Sequence, residues 1–533
     1  MQAELLFQLI MASAERSPNS IAVKFKKMSL TYCELSTQIT TTATGLKSLG
    51  LNRFERVAIY LPKCFESVHA CFGTSMAGGV FVPINPLLKP KQVGHILRDC
   101  NARILITAKN RLDGLSDDLA ECHDLQSIIC IDTDNFTDIK AKLPNLSFHP
   151  WSELEVQTNR FQCETSTIDT DMAAILYTSG STGKPKGVVL SHRNMVCGAR
   201  SVSNYLQNNS EDNILAVLPF SFDYGFSQMT TAFNVGASVV LMDFLLPRDV
   251  IRVVEREHIT GLAAVPPLWI KLAELEWPES ISAHLRYMTN SGGAMPKTTL
   301  TTLRNASPKT NFYLMYGLTE AFRSTYLPPD EIDRRPDSMG KAIPNAEIMV
   351  VREDGSPCAP GESGELVHRG SLVALGYWND PDKTAERFKP VPSTNLSLPL
   401  SEIAVWSGDT VKMDSDGYLY FISRKDEMIK TSGYRVSPTE IEEVLYNSGL
   451  IGEAVALGIA HAELGQAILV VATPKNGTNF DTMALITYCK QELPGFMAPS
   501  AIIEKDSLPR NPNGKIDRTL LAAEFNDYFE SEK

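Results

Sequence analysis

Ten consecutive residues, Thr178-Ser-Gly-Ser-Thr-Gly-Lys-Pro-Lys-Gly187, hold every group needed to grip a phosphate. Thr178, Ser179, Ser181 and Thr182 supply hydroxyls, and Lys184 and Lys186 supply positive charge. Gly180, Gly183 and Gly187 let the backbone turn and come close to a ligand. Consecutive N–H groups in such a loop form a concavity that suits phosphate oxygens. The loop is not of the GxxxxGK[ST] type, because Pro185 follows Lys184 where a hydroxyl residue is required. Its apolar lead-in, Ile175-Leu-Tyr177, reads as a short strand. The competing reading is a solvated Ser/Gly hairpin turn. The combination of all the cradle elements directly after a strand weighs against it.

Five later stretches carry further polar groups. Ser291-Gly-Gly-Ala294, with Gly292 and Gly293, has the composition of a tight turn. Tyr316-Gly-Leu-Thr-Glu320 places an aromatic ring, Gly317, the Thr319 hydroxyl and a carboxylate within five residues. A hard cation that bridges phosphates needs oxygen ligands, and Glu320 is one. Trp406-Ser-Gly-Asp-Thr410 offers Asp409, and a carboxylate accepting two O–H bonds is strong, specific recognition; the alternative is a turn residue at a strand end. Ser423-Arg-Lys-Asp-Glu-Met-Ile-Lys-Thr-Ser-Gly-Tyr-Arg435 contains Arg424, Asp426 and Gly433. Arg510-Asn-Pro-Asn-Gly-Lys-Ile-Asp-Arg518 contains Lys515, whose ammonium on a flexible stem is a mobile point charge. By itself Lys515 reads as a surface lysine in an Asn/Pro/Gly loop.

Two kinds of element must position these groups. Through the first 400 residues, short apolar runs such as Val57–Leu61, Ile104–Thr107, Ile128–Ile131, Ile214–Leu218 and Ser238–Asp243 alternate with helical patterns. Continuous apolar runs of this length read as buried strands in parallel α/β layers. Near 346–421 the texture changes to strands separated by Gly/Asp/Pro turns, as in an antiparallel unit. The stretch Pro390–Leu400 is Pro/Ser-rich and reads as a loop. After Arg424 the chain starts again. Pro438 with its following acids begins a helix, strands follow at 454–458 and 467–472, and a helix follows near 481–493. The expectation is an α/β fold: a large N-terminal domain over 1–425, built of two layered α/β subdomains plus a β-rich subdomain at about 346–422. A small mobile α+β C-terminal domain over 426–533 carries Lys515.

Composition excludes other classes. The chain has 533 residues, 43% hydrophobic and 21% charged, which is ordinary for a globular protein and long enough to bury its own core. The net charge is −12 and there is no Lys/Arg-rich run, so no nucleic-acid partner is expected. The ten cysteines include no CxxC pair and no zinc spacing; scattered reduced thiols predict a cytoplasmic setting. Glu4 and the lack of a basic start make the N-terminus a poor signal peptide. Leu5, Ile10 and Met11 suit one face of an opening helix. No apolar run reaches about 18 residues, so no membrane span is expected.

The loop at 178–187 resembles the signature of the AMP-forming acyl-activating superfamily, which includes acyl-CoA synthetases, adenylation domains of nonribosomal peptide synthetases and luciferases. The five later motifs occur in the family order, so the resemblance covers nearly the whole chain. It implies an ATP- and Mg²⁺-dependent enzyme that joins a carboxylic acid to AMP with release of pyrophosphate and then passes the acyl group to a thiol. It implies Ser179 to Lys184 and Lys186 at the phosphates, Gly292, Gly293 and Ala294 against adenine, Tyr316 stacked on the base, and Thr319 at phosphate. It further implies Glu320 on Mg²⁺, Asp409 at the ribose, Arg424 at ribose or phosphate, Asp426 as hinge, and Gly433 in the thiol path. Lys515, Thr178 and Glu320 become the catalytic groups. The family usually has Gly where Ser423 precedes Arg424, a departure that leaves the polar groups untouched.

The same resemblance aligns Leu218-Pro-Phe-Ser-Phe-Asp-Tyr-Gly-Phe-Ser227 with the acid pocket. Many acyl-CoA synthetases carry a histidine here, and this chain does not. Asp223 falls where amino-acid-activating domains hold an α-ammonium group, and a buried carboxylate needs such a cation. The alternative is that Asp223 caps the next helix. Tyr224, Ser227, Ala264, Thr289, Ser291, Met315, Phe322 and Arg323 are the other expected lining residues. Arg323 is able to pair either with Asp223 or with an acidic substrate. The expected substrate is an amino acid, with a small proline-like acid included, and the expected acceptor is the phosphopantetheine of a carrier protein acting in trans, since no carrier domain follows Lys533. The alternative is a non-amino acid with CoA as acceptor. Residues 316–329 and their flanks also resemble stand-alone acyl-CoA ligases of bacterial exopolysaccharide and exosortase systems, and stand-alone prolyl-AMP ligases are similar in build. A non-catalytic ATP-binding relative and luciferase-like oxidation of an adenylate are the readings from other classes.

Overall fold

The structure is a computed structural model, described over residues 3–156, 166–178, 185–243, 245–293, 295, 297–392, 401–424, 428–474, 480–509 and 516–529. Among the described residues the strands form four sheets. The first has eight strands. Its core is parallel, with Arg56–Tyr60 and Ala102–Thr107 at the centre and Ser127–Cys130 and Ser147–Pro150 beyond them. These runs lack hydrophobic–polar alternation because helices cover both faces, and the central strands are buried along their length. Met172–Thr178 joins the parallel core, and Lys186–Ser191 returns antiparallel to it.

The second sheet has nine strands. Its parallel core runs through Ile21–Phe25, Ser238–Leu241, Asn213–Ala216, Gly261–Ala264, Tyr287–Asn290 and Asn311–Tyr316. Antiparallel strands close both edges. One continuous apolar core fills the space between the two sheets, with Phe226 stacked on Phe72 and Phe81 and Phe233 packed edge-on against Phe72.

The third sheet is antiparallel and lies within 346–424, where Gly/Asp/Pro turns mark a change of texture in the sequence. The fourth lies within 429–504, has its own apolar cores on both faces, and is flanked by the helices Pro438–Asn447 and Thr482–Glu492. Pro438 sits in the first turn of its helix, where a missing N–H costs nothing. The expected opening helix is present as Gln8–Arg16, with Leu9 and Ile10 buried. No described helix is long and apolar enough to cross a membrane.

The fourth sheet's unit rests on the first sheet's unit through the helix Pro90–Asp99. Gln92 Nε2 donates to Glu440 Oε1 at 2.7 Å, and Lys91 Nζ pairs with Glu492 Oε2 at 2.7 Å. Tyr434 stacks on Phe496 with ring centroids 3.7 Å apart and hydrogen-bonds to Asn85.

Candidate functional site

Thr178 ends one strand and is register partner to Lys186, which begins the antiparallel return. Ser179, Gly180, Ser181, Thr182, Gly183 and Lys184, which join the two strands, lie outside the described residues. Gly187 does not serve a turn. It sits in the return strand, where a Cβ would lie 2.6 Å from Ile175 Cγ2 and 3.1 Å from the Tyr177 ring, so close strand packing requires it. Lys186 lies 5.5 Å from the Tyr377 ring centroid. Burial lowers the pKa of its ammonium, helped by nearby Lys383 and Arg387.

The strand Asn311–Tyr316 delivers the next group. Tyr316 Oη donates to Asp409 Oδ2 at 2.6 Å across 93 residues. Asp409 is buried on the strand Ile403–Met413, and its own N–H donates to Ser407 Oγ at 3.1 Å. Arg424 is Asp409's register partner on the adjacent strand. Thr319 and Glu320 form a short 3₁₀ turn after Tyr316. Glu320 Oε1 accepts from Tyr377 Oη at 2.6 Å, and the Glu320 carbonyl accepts from the Ala374 amide at 2.9 Å. Tyr377 lies outside all six sequence motifs. Its segment, Gly376-Tyr377, pairs with the return strand at Val188, so one hydrogen-bonded edge aligns it with Lys186. No motif signal marked it, because the partner carboxylate is 57 residues away. Two carboxylates held by phenols, Asp409 by Tyr316 and Glu320 by Tyr377, thus lie with Lys186 beside the second phenol and the Arg424 backbone beside Asp409.

These residues suit the ATP and Mg²⁺ that the motifs imply. Glu320 offers an oriented oxygen, the ligand type that Mg²⁺ takes alongside phosphate oxygens. Asp409 offers an acceptor for hydroxyls. Among the described residues no group of three or more His, Cys, Asp and Glu side chains is arranged for a metal. The turn Ser291–Gly293 is closed by Asn290 Nδ2 donating to the Gly293 carbonyl at 3.0 Å; Ala294 lies outside the described residues.

The structure also holds a cavity of about 740 Å³. Thr178, Gly292, Gly317 and Thr319 line one part of it, and Asp223, Tyr224, Ser291 and Arg323 line another. Ser432, Gly433, Tyr434 and Arg435 of the fourth sheet's unit also line it. Gly433 has φ +80°, and a Cβ there would lie 2.5 Å from Val265 Cγ2. Only glycine satisfies both limits. Asp426 and Lys515 lie outside the described residues. Arg518, three residues beyond Lys515, donates to Glu442 at 2.7 and 2.8 Å.

The acid pocket differs from expectation in two ways. First, Ser227, Ala264, Thr289, Met315 and Phe322 are not on the cavity wall. Ser227 is buried with its hydroxyl 3.5 Å from Thr231, and the Met315 sulfur accepts from Tyr205. Thr289 Oγ1 pairs with Tyr224 Oη at 2.5 Å, while the Ala264 carbonyl accepts from Trp269. Phe322 points at Gly198, where a Cβ would meet its ring at 2.5 Å. Consecutive motif residues on a strand or tight turn face opposite ways, so proximity in sequence overcounts lining.

Second, Asp223 is already matched with a cation. Arg323 Nη1 donates to Asp223 Oδ2 at 2.9 Å, with both side chains buried. Asp223 also begins the helix Asp223–Val235, as the helix-start alternative expects, and its carboxylate accepts from the Tyr224 backbone as well as from Arg323. Burial pushes the Asp223 carboxyl up from its ordinary value, and Arg323 pulls against that rise.

Comparison with known proteins identifies the family. The description "AMP-binding enzyme" matches residues 10–378, and "AMP-binding enzyme C-terminal domain" matches 440–515. The chain belongs to the AMP-binding enzyme family. It is an AMP-forming ligase that uses ATP and Mg²⁺. It is 30% identical over 512 residues to a linear gramicidin synthase protein of Brevibacillus parabrevis, covering 96% of this chain but 6% of that protein. It is 26% identical over 548 residues to a long-chain-fatty-acid–CoA ligase of Bacillus subtilis strain 168, covering 97% and 94%. In fold it is similar to o-succinylbenzoate CoA synthetase of Bacillus subtilis, with a TM-score of 0.81, 24% identity and 96% and 97% coverage. The amide bond synthetase McbA of Marinactinospora thermotolerans matches with a TM-score of 0.83 and 21% identity over 98% and 99% of the chains.

Proposed function

We propose that this AMP-binding enzyme activates a small, uncharged-chain carboxylic acid as its acyl adenylate and transfers the acyl group to a phosphopantetheine thiol, with CoA as acceptor. The observation that carries this reading is the continuous cavity in which the acid pocket at Asp223 and Arg323 opens both to the Thr178 and Thr319 side and to Gly433. A carboxylate is already an anion and needs no general base. The task is to bring it to the α-phosphate of ATP, form the O–P bond and expel pyrophosphate. Positioning and electrostatic stabilisation supply this. Thr178, Thr319 and Lys186 would face the phosphates, Asp409 would orient the ribose, Glu320 would hold Mg²⁺, and Lys515 would meet the charge that develops between carboxylate and phosphate. Mg²⁺ held at Glu320 would neutralise charge on the phosphates and on the departing pyrophosphate. Thiolate attack on the acyl carbonyl then breaks the bond to AMP. Gly433, on the cavity wall, would border the path of the pantetheine arm.

The Asp223–Arg323 pair favours a non-amino acid, because a substrate ammonium would have to displace a buried guanidinium from its carboxylate. The likeness to gramicidin synthase favours the second reading, an amino acid passed to a carrier protein. Carboxylate-dependent pyrophosphate release across fatty, aryl and amino acids, followed by thioester formation with CoA or a phosphopantetheinylated carrier, decides between them. Release stimulated only by amino acids rejects the first reading, and no release with any acid rejects both.

A further inference from the structure

His368 and Ser324 form a buried polar pair outside the six sequence motifs. His368 stands on the strand Ser363–Gly370 of the third sheet, and Ser324 follows the turn that carries Thr319 and Glu320. Both side chains are fully buried, with His368 Nδ1 2.9 Å from Ser324 Oγ. His368 Nε2 is buried with no partner among the described residues, and an unmade buried hydrogen bond costs stability. Burial pushes the imidazole pKa down to about 3, so the ring is neutral and acts as a dipole. A leucine at 368 would avoid the cost of the unpartnered nitrogen. What the imidazole adds is a fixed direction for its partner.

The bonds that run outward from this pair close a ring. The Ser324 N–H donates to the Tyr316 carbonyl at 3.2 Å, and Tyr316 Oη donates to Asp409 Oδ2 at 2.6 Å. The Asp409 N–H donates to Ser407 Oγ at 3.1 Å, and that hydroxyl donates to the Leu366 carbonyl at 2.7 Å. Leu366 is two residues from His368 on the same strand. The Gly408 N–H also donates to that strand, to Glu365 Oε1 at 3.0 Å. One strand therefore holds the Asp409 segment at Glu365 and Leu366, and the Tyr316 segment through His368. The turn between Tyr316 and Ser324 needs such outside support, because Phe322 has φ +55°, a costly conformation for a bulky side chain. We propose that His368 is a positioning residue: through Ser324 it sets Tyr316 against Asp409, and so aims the carboxylate at the ribose hydroxyls of ATP. This rests on the reading of Asp409 as the ribose acceptor.

The test is calorimetric binding of ATP, 2′-deoxy-ATP and 3′-deoxy-ATP to the full chain with Mg²⁺, alongside unfolding in denaturant. The parent is expected to bind ATP more tightly than at least one deoxy form, since a site built for a hydroxyl discriminates against its absence. In His368→Leu that ratio of affinities is expected to fall about three- to tenfold, the span of one hydrogen bond, while the denaturant midpoint equals or exceeds the parent's. Ser324→Ala should lower the ratio likewise. The double variant should lose no more than either single one, because the ring is opened only once. His368→Asn, whose amide can stand in for Nδ1, should keep the ratio near the parent's. If His368→Leu fails to fold, Ser324→Ala and His368→Asn read the same ratio. An unchanged ratio in Ser324→Ala and in folded His368→Leu, even with a lower denaturant midpoint, marks a purely structural pair and overturns the inference while leaving the ribose reading standing. Additive losses in the double variant overturn it as well. Equal binding of all three nucleotides by the parent overturns both.

Discussion

The two ends of the site hold their carboxylates differently. At the nucleotide end Asp409 and Glu320 each accept a hydrogen bond of 2.6 Å from a tyrosine, Tyr316 and Tyr377. At the acid end Asp223 is met by Arg323 at 2.9 Å. A phenol aims a carboxylate and leaves it charged; a guanidinium aims it and cancels the charge. The first arrangement keeps a carboxylate ready for a cation or for sugar hydroxyls. The second neutralises it in place, so that Asp223 supports the arginine.

That contrast can be broken most sharply at Arg323. Replacing it with Met leaves Asp223 buried and unmatched, and is expected to cost about 3–5 kcal/mol of stability. The double variant Asp223→Asn/Arg323→Met should recover most of that loss in denaturant unfolding. If the single variant is as stable as the parent, the pair is not what holds the acid end together. At the nucleotide end the effects fall on rate. Lys515→Ala is expected to slow pyrophosphate release by about 10²–10³, the usual cost of removing one group that stabilises developing charge. ATP binding by calorimetry should stay nearly unchanged, and full activity would remove Lys515 from the mechanism.

Smaller effects separate the half-reactions. Gly433→Ala puts a Cβ at a positive φ and against Val265, with an expected cost of about 1–2 kcal/mol from the backbone conformation alone. Rapid-quench assays should show thioester formation slowed about tenfold or more while the first turnover of pyrophosphate release is spared; equal loss in both steps contradicts a role confined to the thiol path. Tyr377→Phe removes the donor that orients Glu320 and should raise the Mg²⁺ concentration for half-maximal pyrophosphate release several-fold, since a hydrogen bond to a charged group contributes roughly 1.5–3 kcal/mol at most. An unchanged Mg²⁺ dependence would show that Glu320 is held well enough without its phenol.

Much of this was legible in the residue order. Buried parallel strands need uninterrupted apolar runs, and Val57–Leu61 and Ile104–Thr107 fell within one residue or two of observed strands. Pro438 marked a helix start because proline fits there and not further in. Motifs such as Tyr316–Glu320 are contiguous, so their polar groups are close by covalent geometry alone. What could not be read was which way a side chain points and which distant residue meets it. Ser227, Ala264, Thr289, Met315 and Phe322 sit within or beside such motifs and still turn into the core.

The sequence by itself determined the family chemistry: hydroxyls, glycines and lysines in one loop, a carboxylate after Tyr316, and a lysine near the C-terminus. Only the tertiary structure decided how the carboxylates are partnered. Tyr316 with Asp409, Tyr377 with Glu320, and Arg323 with Asp223 are separated by 93, 57 and 100 residues. Their contacts arise from sheet order and strand register, which no local pattern encodes, and they set which groups remain available to a ligand.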